Sequence, residues 1–176
     1  SYTNQMLRLV RGKLKSWSNY QEFDFEIGNA SMGVRSFSMP TAIYDKNSNK
    51  SVLNLRLGNA YPLTYIDRSE YLQATYNTFY TEVKTLAIVS NTSLILDSTE
   101  NLPDTGTINV YVAGTKYEVD YTNNTKSTGT LTVAADQITY AFPVDSPVWY
   151  NVEEGQVKYY SIWDGRVYPW PMITTD

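Results

Sequence analysis

The chain of 176 residues contains no cysteine and no histidine. These absences exclude disulfides, thiol nucleophiles, zinc sites built from Cys and His, and catalytic triads that use a histidine base. Hydrophobic runs are short, and none approaches the roughly 20 residues needed to cross a membrane. The chemistry that remains is that of paired carboxylates, lysine, tyrosine or a metal held by oxygen atoms.

Positive charge is also scarce, since 14 lysines and arginines face 18 aspartates and glutamates, for a formal net charge of −4. An acidic chain is a poor candidate for dedicated nucleic-acid binding. Aromatic residues, in contrast, make up 14% of the chain, and 16 residues are tyrosines. Such a composition favours β structure and extended contact surfaces. The length fits one domain, or one domain with a small insertion.

The most informative stretch is LILDSTENLPDTGTINVYV, residues 94–112, which predicts two strands joined by turns. Pro103 fixes φ and Gly106 can adopt a positive φ, so we expect the chain to reverse there. In the next strand, apolar residues recur with a period of two and share one face: Ile108, Val110 and Val112. Similar alternation continues to residue 149 with a turn every eight to twelve residues, which is typical of a small antiparallel sandwich or barrel.

An N-terminal helix is predicted over residues 3–17, where apolar residues form one stripe at helical spacing: Leu7, Val10, Leu14 and Trp17. Three basic residues lie beside that stripe: Arg8, Arg11 and Lys15. They fit either a solvated face or a contact with an acidic partner subunit or with passing DNA. A second, shorter helix is predicted over residues 69–78, beginning near Asp67.

Two other segments predict extended structure. Residues 22–27 alternate Phe23 and Phe25 with acidic residues, which indicates a strand or an extended arm. Near the C-terminus, Asp164-Gly165 is a strong signal for a two-residue hairpin turn. The following Pro169-Trp170-Pro171 ends the second strand of that hairpin.

The DSTENLPDTGTI core resembles a small β module of tailed-bacteriophage structural proteins, and the resemblance covers roughly residues 90–149. The flanking stretches, residues 36–72 and 156–171, resemble two patterns of short-tailed-phage adaptor and tail-tube proteins. In those families the two patterns pair within one sheet. The chain departs from them in having Met39 where Leu is usual and Val157 where Pro is frequent.

The resemblance implies a mainly β (α+β) fold. We expect an antiparallel sheet or barrel with an N-terminal helix and an inserted small β-sandwich or barrel module. The connector core would comprise residues 1–89 plus 150–176. The inserted β module would comprise residues 90–149.

The function implied is that of a structural virion protein, a head-to-tail connector or adaptor subunit. Such subunits form a ring, often about twelve-fold, between the portal and the tail. The expected partners are further copies of the chain, the portal protein and tail or neck proteins, with non-specific passage of viral DNA and no membrane. The expected location is the head–tail junction of the virion, after assembly in the bacterial cytoplasm. No catalysis, metal or cofactor is expected.

Arginine and aromatic side chains are the usual anchors of protein interfaces. By type and position, eight residues are therefore predicted to contact partners: Arg8, Arg11, Lys15, Phe23, Phe25, Trp163, Tyr168 and Trp170. The first three belong to the predicted N-terminal helix. The two phenylalanines belong to the possible arm, and the other three lie near the C-terminus.

Other functions fit the sequence less well. Glu153 and Glu154 could imitate a glycosidase pair, but adjacent residues of a strand point to opposite faces and do not converge. Three acidic turn residues, Asp97, Asp104 and Asp120, have the chemistry to bind calcium, although such residues commonly serve only as turn formers.

A carbohydrate- or receptor-binding tail, fibre or decoration protein is the alternative to a connector. Six aromatic residues would then form a stacking platform: Trp149, Tyr150, Tyr159, Tyr160, Trp163 and Trp170. The same residues fit a hydrophobic core or a subunit interface equally well by type. A fibre would be expected to show internal repeats, and the sequence has none.

A connector ring should let DNA pass without gripping it, because tight phosphate contacts would slow ejection. We therefore predict no measurable affinity for duplex DNA at about 150 mM salt, as expected for an acidic chain. Fluorescence anisotropy with labelled duplex DNA measures this directly. A nanomolar dissociation constant at that salt concentration would contradict the connector interpretation.

Overall fold

The computed structural model of the chain describes residues 5–15, 20–30, 33–39, 51–52, 55–57 and 62–173. The chain divides into two compact units. Unit 1 comprises Ser1–Ala74 and Glu154–Asp176, and unit 2 comprises Thr75–Glu153. The fold is mainly β, as predicted, and the described residues form strands with one α-helix and one 3-10 turn.

The elements follow one another in a simple order. In sequence they are β1 (Gln5–Lys15), β2 (Tyr20–Ala30), β3 (Phe37–Ser38), β4 (Ser51–Val52), β5 (Leu55–Leu57), β6 (Thr64–Tyr65), α1 (Arg68–Ala74), β7 (Phe79–Glu82), β8 (Ser93–Ile95), β9 (Gly106–Val112), β10 (Thr115–Thr125), a 3-10 turn (Lys126–Thr128), β11 (Thr130–Val133), β12 (Pro147–Tyr150), β13 (Glu154–Gly155), β14 (Tyr159–Trp163), β15 (Arg166–Trp170) and β16 (Met172–Ile173). Unit 2 therefore holds β7 to β12.

The predicted N-terminal helix is wrong, because the segment forms strand β1 and pairs antiparallel with β2. The register of this pair has two irregularities. One of them, between Val10 and Gly12, leaves Arg11 as an extra residue without a partner in β2. Glycine within a strand commonly marks such a bulge. On its other edge β1 pairs with β4 and β5, so β1 is the central strand of this sheet.

The second sheet of unit 1 has the strand order β3-β15-β14-β6. The two flanking stretches of sequence meet in it, since β3 and β6 come from residues 36–72 while β14 and β15 come from residues 156–171. The predicted hairpin turn is confirmed, because Asp164 and Gly165 both have positive φ, 49° and 69°, between antiparallel β14 and β15. Asn-Gly and Asp-Gly turns adopt this geometry because glycine tolerates it without strain.

The second predicted helix is present as α1 and is capped at its start. The Asp67 carboxylate accepts hydrogen bonds from the Glu70 backbone N–H at 2.9 Å and from the Ser69 hydroxyl at 2.6 Å. In return, the Asp67 backbone N–H donates to the Glu70 carboxylate at 3.1 Å. This reciprocal capping box satisfies backbone donors that the helix leaves open. The Ser69 hydrogen bond, followed by the backbone N–H of Glu70, lowers the pKa of Asp67.

Unit 2 is a closed antiparallel barrel. Its six strands follow the order β7-β12-β9-β10-β11-β8. Just beyond the ends of β7 and β8, Val83 bridges Leu96 in antiparallel fashion. The backbone N–H of Lys84 donates to the carbonyl of Ile95 at 2.9 Å across the same junction. The first and last strands of the order therefore meet, which removes the open edges of the sheet.

The interior of the barrel is filled by apolar side chains from every strand region. The buried core consists of Val83, Ala87, Leu94, Leu96, Leu102, Ile108, Val110, Val119, Tyr121, Leu131, Val133, Ile138, Phe142 and Val148. Two members of the predicted apolar face, Ile108 and Val110, are fully buried, and the third, Val112, packs against the core. Unit 2 begins at residue 75, ahead of the expected module, because β7 pairs with β12.

The loop between β8 and β9, which carries the DSTENLPDTG residues, is held by one buried amide. The Asn124 side-chain N–H₂ on β10 lies 3.0, 3.2 and 3.2 Å from the carbonyl oxygens of Thr99, Leu102 and Pro103, to which it donates. The Tyr121 hydroxyl also donates to the Pro103 carbonyl, at 3.2 Å. Because a buried carbonyl without a partner is costly, these bonds fix the loop against the barrel.

Glycines shape the barrel at two places. Gly106 does not have the predicted positive φ. Instead it leaves space, since a Cβ there would lie 3.2 Å from the Tyr121 hydroxyl. Gly129 has a φ of +66°, and a Cβ there would lie only 2.5 Å from the Leu96 carbonyl oxygen. The Gly129 carbonyl also accepts the Leu96 N–H at 2.8 Å.

We predict that Gly129→Ala strongly destabilises unit 2. A side chain in the left-handed conformation costs roughly 1–2 kcal/mol, and the clash with the backbone adds to this, for a total of about 3 kcal/mol or more. Gly114→Ala is the matched control, because Gly114 has a φ of +80° but nothing within 4 Å of its Cβ position. Urea unfolding of both variants measures the difference, and equal losses would show that the Leu96 carbonyl imposes no constraint.

Candidate interaction surfaces

The five predicted contact residues of the N-terminal region lie on β1 and β2. Arg8 stands opposite Glu26 in the register, and Lys15 stands opposite Tyr20. Arg11 is the bulged residue. The three basic residues therefore occupy positions along a strand, and the helical row that the sequence predicted does not form.

Phe23 and Phe25 lie on β2, which confirms a strand in this segment. Phe25 stands opposite Leu9, and Phe23 stands opposite Gly12 at the bulge. Among the strands that the structure describes, β2 ends the order of its sheet. A strand of 11 residues at a sheet edge offers backbone donors and acceptors for the addition of a further strand.

The three predicted contact residues near the C-terminus gather in one aromatic cluster of unit 1, formed with Tyr71 of α1. The rings of Trp163 and Tyr168 are stacked, with centroids 3.5 Å apart and an angle of 6° between planes. Tyr71 meets Trp163, Tyr168 and Trp170 edge to face at centroid distances of 5.0, 5.9 and 6.2 Å. Edge-to-face and stacked pairs add stability beyond the burial of their area.

Two arginines lie over this aromatic cluster. The Arg35 guanidinium carbon is 5.8 Å from the centroid of Tyr168, and that of Arg68 is 5.7 Å from the centroid of Trp163. Tyr71, Tyr168 and Trp170 are buried, whereas Trp163 is half-buried. Most of the cluster therefore stabilises unit 1 itself, and Trp163 with the exposed Arg35 and Arg68 is the part that solvent or a partner can reach.

Burial raises the pKa of Tyr71 from 10.0 to about 12, with the positive charge of Arg35 acting in the opposite direction. The neutral phenol is the form that fits the buried cluster. Ionisation of this side chain in the folded state therefore opposes the packing of α1 against β14 and β15.

An exposed apolar patch lies on unit 2. Ala87 is buried and pairs with buried Phe142 across a β-bridge. Around this bridge five large apolar residues are each about half exposed: Leu86, Ile88, Val89, Tyr140 and Val144. Scattered exposed apolar residues are ordinary, but five of them within three positions of one bridge make this a candidate contact surface. The LAIV run at residues 86–89 was the sequence signal for it.

Unit 2 also contains an open pocket of about 480 Å³. Its lining comes from three places in the sequence and consists of Tyr76, Asn77, Thr78, Phe79, Asn101, Tyr150 and Asn151. No pattern in the sequence pointed to this site, because its three segments are more than 20 positions apart. The pairing of β7 with β12 brings two of them together.

The other candidate residues do not converge. Within the described residues no group of three acidic side chains is placed to hold a metal ion. Asp120 instead accepts a hydrogen bond from the Thr107 hydroxyl at 2.5 Å. Of the six aromatic residues considered for a stacking platform, three are buried: Trp149, Tyr160 and Trp170. Trp149 and Tyr150 belong to unit 2, and the other four belong to unit 1.

Comparison of the chain with family models, with curated proteins and with solved structures found no match. In the described part of the chain, no helix has both the length and the apolar character needed to cross a membrane. The function is therefore inferred from the residues and their geometry.

The buried phenol of Tyr71 predicts a pH dependence. Because its folded-state pKa is about 12 and the ordinary value is 10.0, its contribution to stability is fully present below pH 10 and is lost as the pH rises through 12. The contribution at stake is about 2–3 kcal/mol. We expect Tyr71→Phe to flatten the fall in unfolding free energy over this range, measured by urea unfolding with tryptophan fluorescence.

The matched control is Tyr76→Phe, which removes the hydroxyl of a tyrosine that is 84% exposed. It should reproduce the wild-type fall. If Tyr71→Phe and Tyr76→Phe give the same curve, Tyr71 does not contribute to alkaline unfolding.

Proposed function

We propose that the chain is a structural virion protein of a tailed bacteriophage. It acts as a head-to-tail connector or adaptor subunit in a ring between the portal and the tail. The observation that supports this most directly is the second sheet of unit 1, in which β3 and β6 from residues 36–72 pair with β14 and β15 from residues 156–171. The resemblance of these stretches to adaptor and tail-tube proteins implies this pairing.

The insertion pattern supports the same proposal. The DSTENLPDTGTI residues belong to a unit with its own closed core, and this unit interrupts unit 1 between residues 74 and 154. A phage β module inserted into a connector core would have this organisation. In this organisation the barrel is free to contact partners of its own. The insertion does not interrupt the strand order of the second sheet of unit 1.

Two surfaces supply the contacts that a ring requires. The edge of β2 offers unpaired backbone groups within the described sheet, and the apolar patch at residues 86–89 and 140–144 offers side chains that gain by burial. A ring needs two different patches that complement each other on neighbouring subunits. By residue type, Arg8, Arg11 and Lys15 of β1 carry the charge that a contact with an acidic partner subunit would require.

The net charge of −4 fits a channel through which DNA passes. Like charge keeps the duplex from adhering to the ring. The place of action under this proposal is the head–tail junction of the virion. A carbohydrate- or receptor-binding tail or fibre protein is the competing function, and it differs in symmetry, because such proteins are expected to be trimers.

The deciding experiment is the mass of the full chain, alone and after mixing with the portal protein of its virion, followed by electron microscopy with particle averaging. We expect a closed ring, either of the free chain or formed on the portal, with about twelve copies. A monomer that ignores the portal would overturn the proposal. A trimer would favour the receptor-binding function.

A pair of variants tests the apolar patch within the same assay. Leu86→Glu places a charge in the patch and should abolish ring formation, because an unpaired charge buried in an interface is costly. Leu72→Glu is the matched control, since Leu72 on α1 is 48% exposed against 52% for Leu86. Both residues are exposed, so neither change should unfold the chain. Intact rings with Leu86→Glu would exclude the patch as a subunit contact.

A further inference from the structure

The pocket of unit 2 is built by three separate segments. Residues 76–78 lead into β7, which begins at Phe79, and Asn101 lies in the loop between β8 and β9. Tyr150 ends β12, and Asn151 follows it. The volume of about 480 Å³ falls in the range of small-molecule sites, roughly 300–1,000 Å³. Neither ring assembly nor the passage of DNA gives this pocket a role.

The walls of the pocket are fixed by hydrogen bonds. Asn151 has a φ of +50°, a conformation that asparagine tolerates better than most residues. In this conformation its carbonyl accepts the Thr78 hydroxyl at 3.1 Å, and its side-chain N–H₂ donates to the Asn77 carbonyl at 3.3 Å. One residue therefore joins the two ends of unit 2 that form two walls of the pocket.

The third wall is held from inside the barrel. Asn101 lies in the loop that Asn124 anchors through the carbonyls of Thr99 and Leu102, on either side of it. The loop is therefore positioned without a ligand. A pre-formed site loses less conformational entropy on binding, which favours affinity for a small molecule.

The chemistry of the lining is neutral and polar. None of the described lining residues is charged. An ionic ligand would lose its hydration here without gaining a counter-charge, which disfavours phosphates, carboxylates and amines. The side-chain amides of the lining residues Asn77 and Asn101 each carry a donor and an acceptor, which is what a hydroxyl group requires from its neighbours.

Aromatic rings complete the site. Phe79 and Tyr150 are half-buried in the lining, and Tyr76 is 84% exposed. An aromatic ring face can contact the C–H groups of a sugar ring, and neighbouring amides can bond its hydroxyls. A flat apolar metabolite would not need the amides. We propose that this pocket binds a neutral saccharide of one or two rings, with Tyr76 as the stacking residue and Asn101 as a hydroxyl-binding residue.

The proposal is independent of the ring. A connector, a decoration protein and a receptor-binding protein can each carry a saccharide site. The residues of the site are distinct from those of the apolar patch and from the aromatic platform considered from sequence, except for Tyr150. Failure of the saccharide site would leave the connector proposal intact.

The test uses the full chain and a panel of neutral mono- and disaccharides of glucose, galactose, mannose, N-acetylglucosamine and N-acetylgalactosamine. Binding is measured by glycan array and then by isothermal titration calorimetry. We expect at least one member to bind and matched sialylated or uronic-acid sugars to bind more weakly. Tyr76→Ala and Asn101→Ala should each weaken the affinity about tenfold or more.

Tyr140→Ala is the control, because Tyr140 is an exposed tyrosine of the same unit that does not line the pocket. It should leave the affinity unchanged. Tyr76→Phe should retain most of the binding, since the ring and not the hydroxyl makes the stacking contact. The proposal is overturned if no neutral saccharide binds at about 10 mM, or if binding survives both alanine substitutions.

Discussion

The closure of β7 against β8 is the constraint on which unit 2 depends. The Val83–Leu96 bridge joins the two ends of a six-stranded order, and Gly129 must lack a side chain for the Leu96 backbone to reach its place. A closed sheet has no free edge and encloses its own core, so the barrel does not rely on a neighbouring element for stability. Two of the pocket walls, which lie far apart in the sequence, are brought together by the neighbouring pairing of β7 with β12.

Much of this fold could be predicted from local pattern. Strand β9 could be predicted because its apolar residues alternate strictly and one face of the strand must be buried. The Asp164-Gly165 turn could be predicted because its geometry requires positive φ, which few residues tolerate. The N-terminal strand could not be predicted in this way. Leu7, Val10 and Leu14 match a helical stripe, and only a bulge at Arg11 together with pairing to a strand 15 residues later makes β1 preferable. The pairing of β1 with β2 therefore outweighed the helical spacing of the apolar residues within the segment.

The candidate sites also differ in how far local sequence could predict them. Residue type alone does not separate an aromatic anchor of an interface from one of the core, because both combine a large apolar area with a polar tip. Trp163, Tyr168 and Trp170 were predicted from type and position to contact partners. The fold brings them together against Tyr71, where Tyr168 and Trp170 are buried and stabilise unit 1 itself. The neutral pocket could not be predicted from the sequence, since its asparagines and tyrosines are ordinary residue types until the pairing of β7 with β12 brings them together.

The pairing of β7 with β12 has a consequence for how such a chain can change. Phe79 and Tyr150, near the first and last residues of unit 2, face each other in one antiparallel ladder, so the backbone enters and leaves the barrel about 5 Å apart. A gap of this width can be spanned by a tight turn. The whole barrel is therefore a cassette that can be excised, or exchanged for another with adjacent ends, without a change in the strand order of the host sheet.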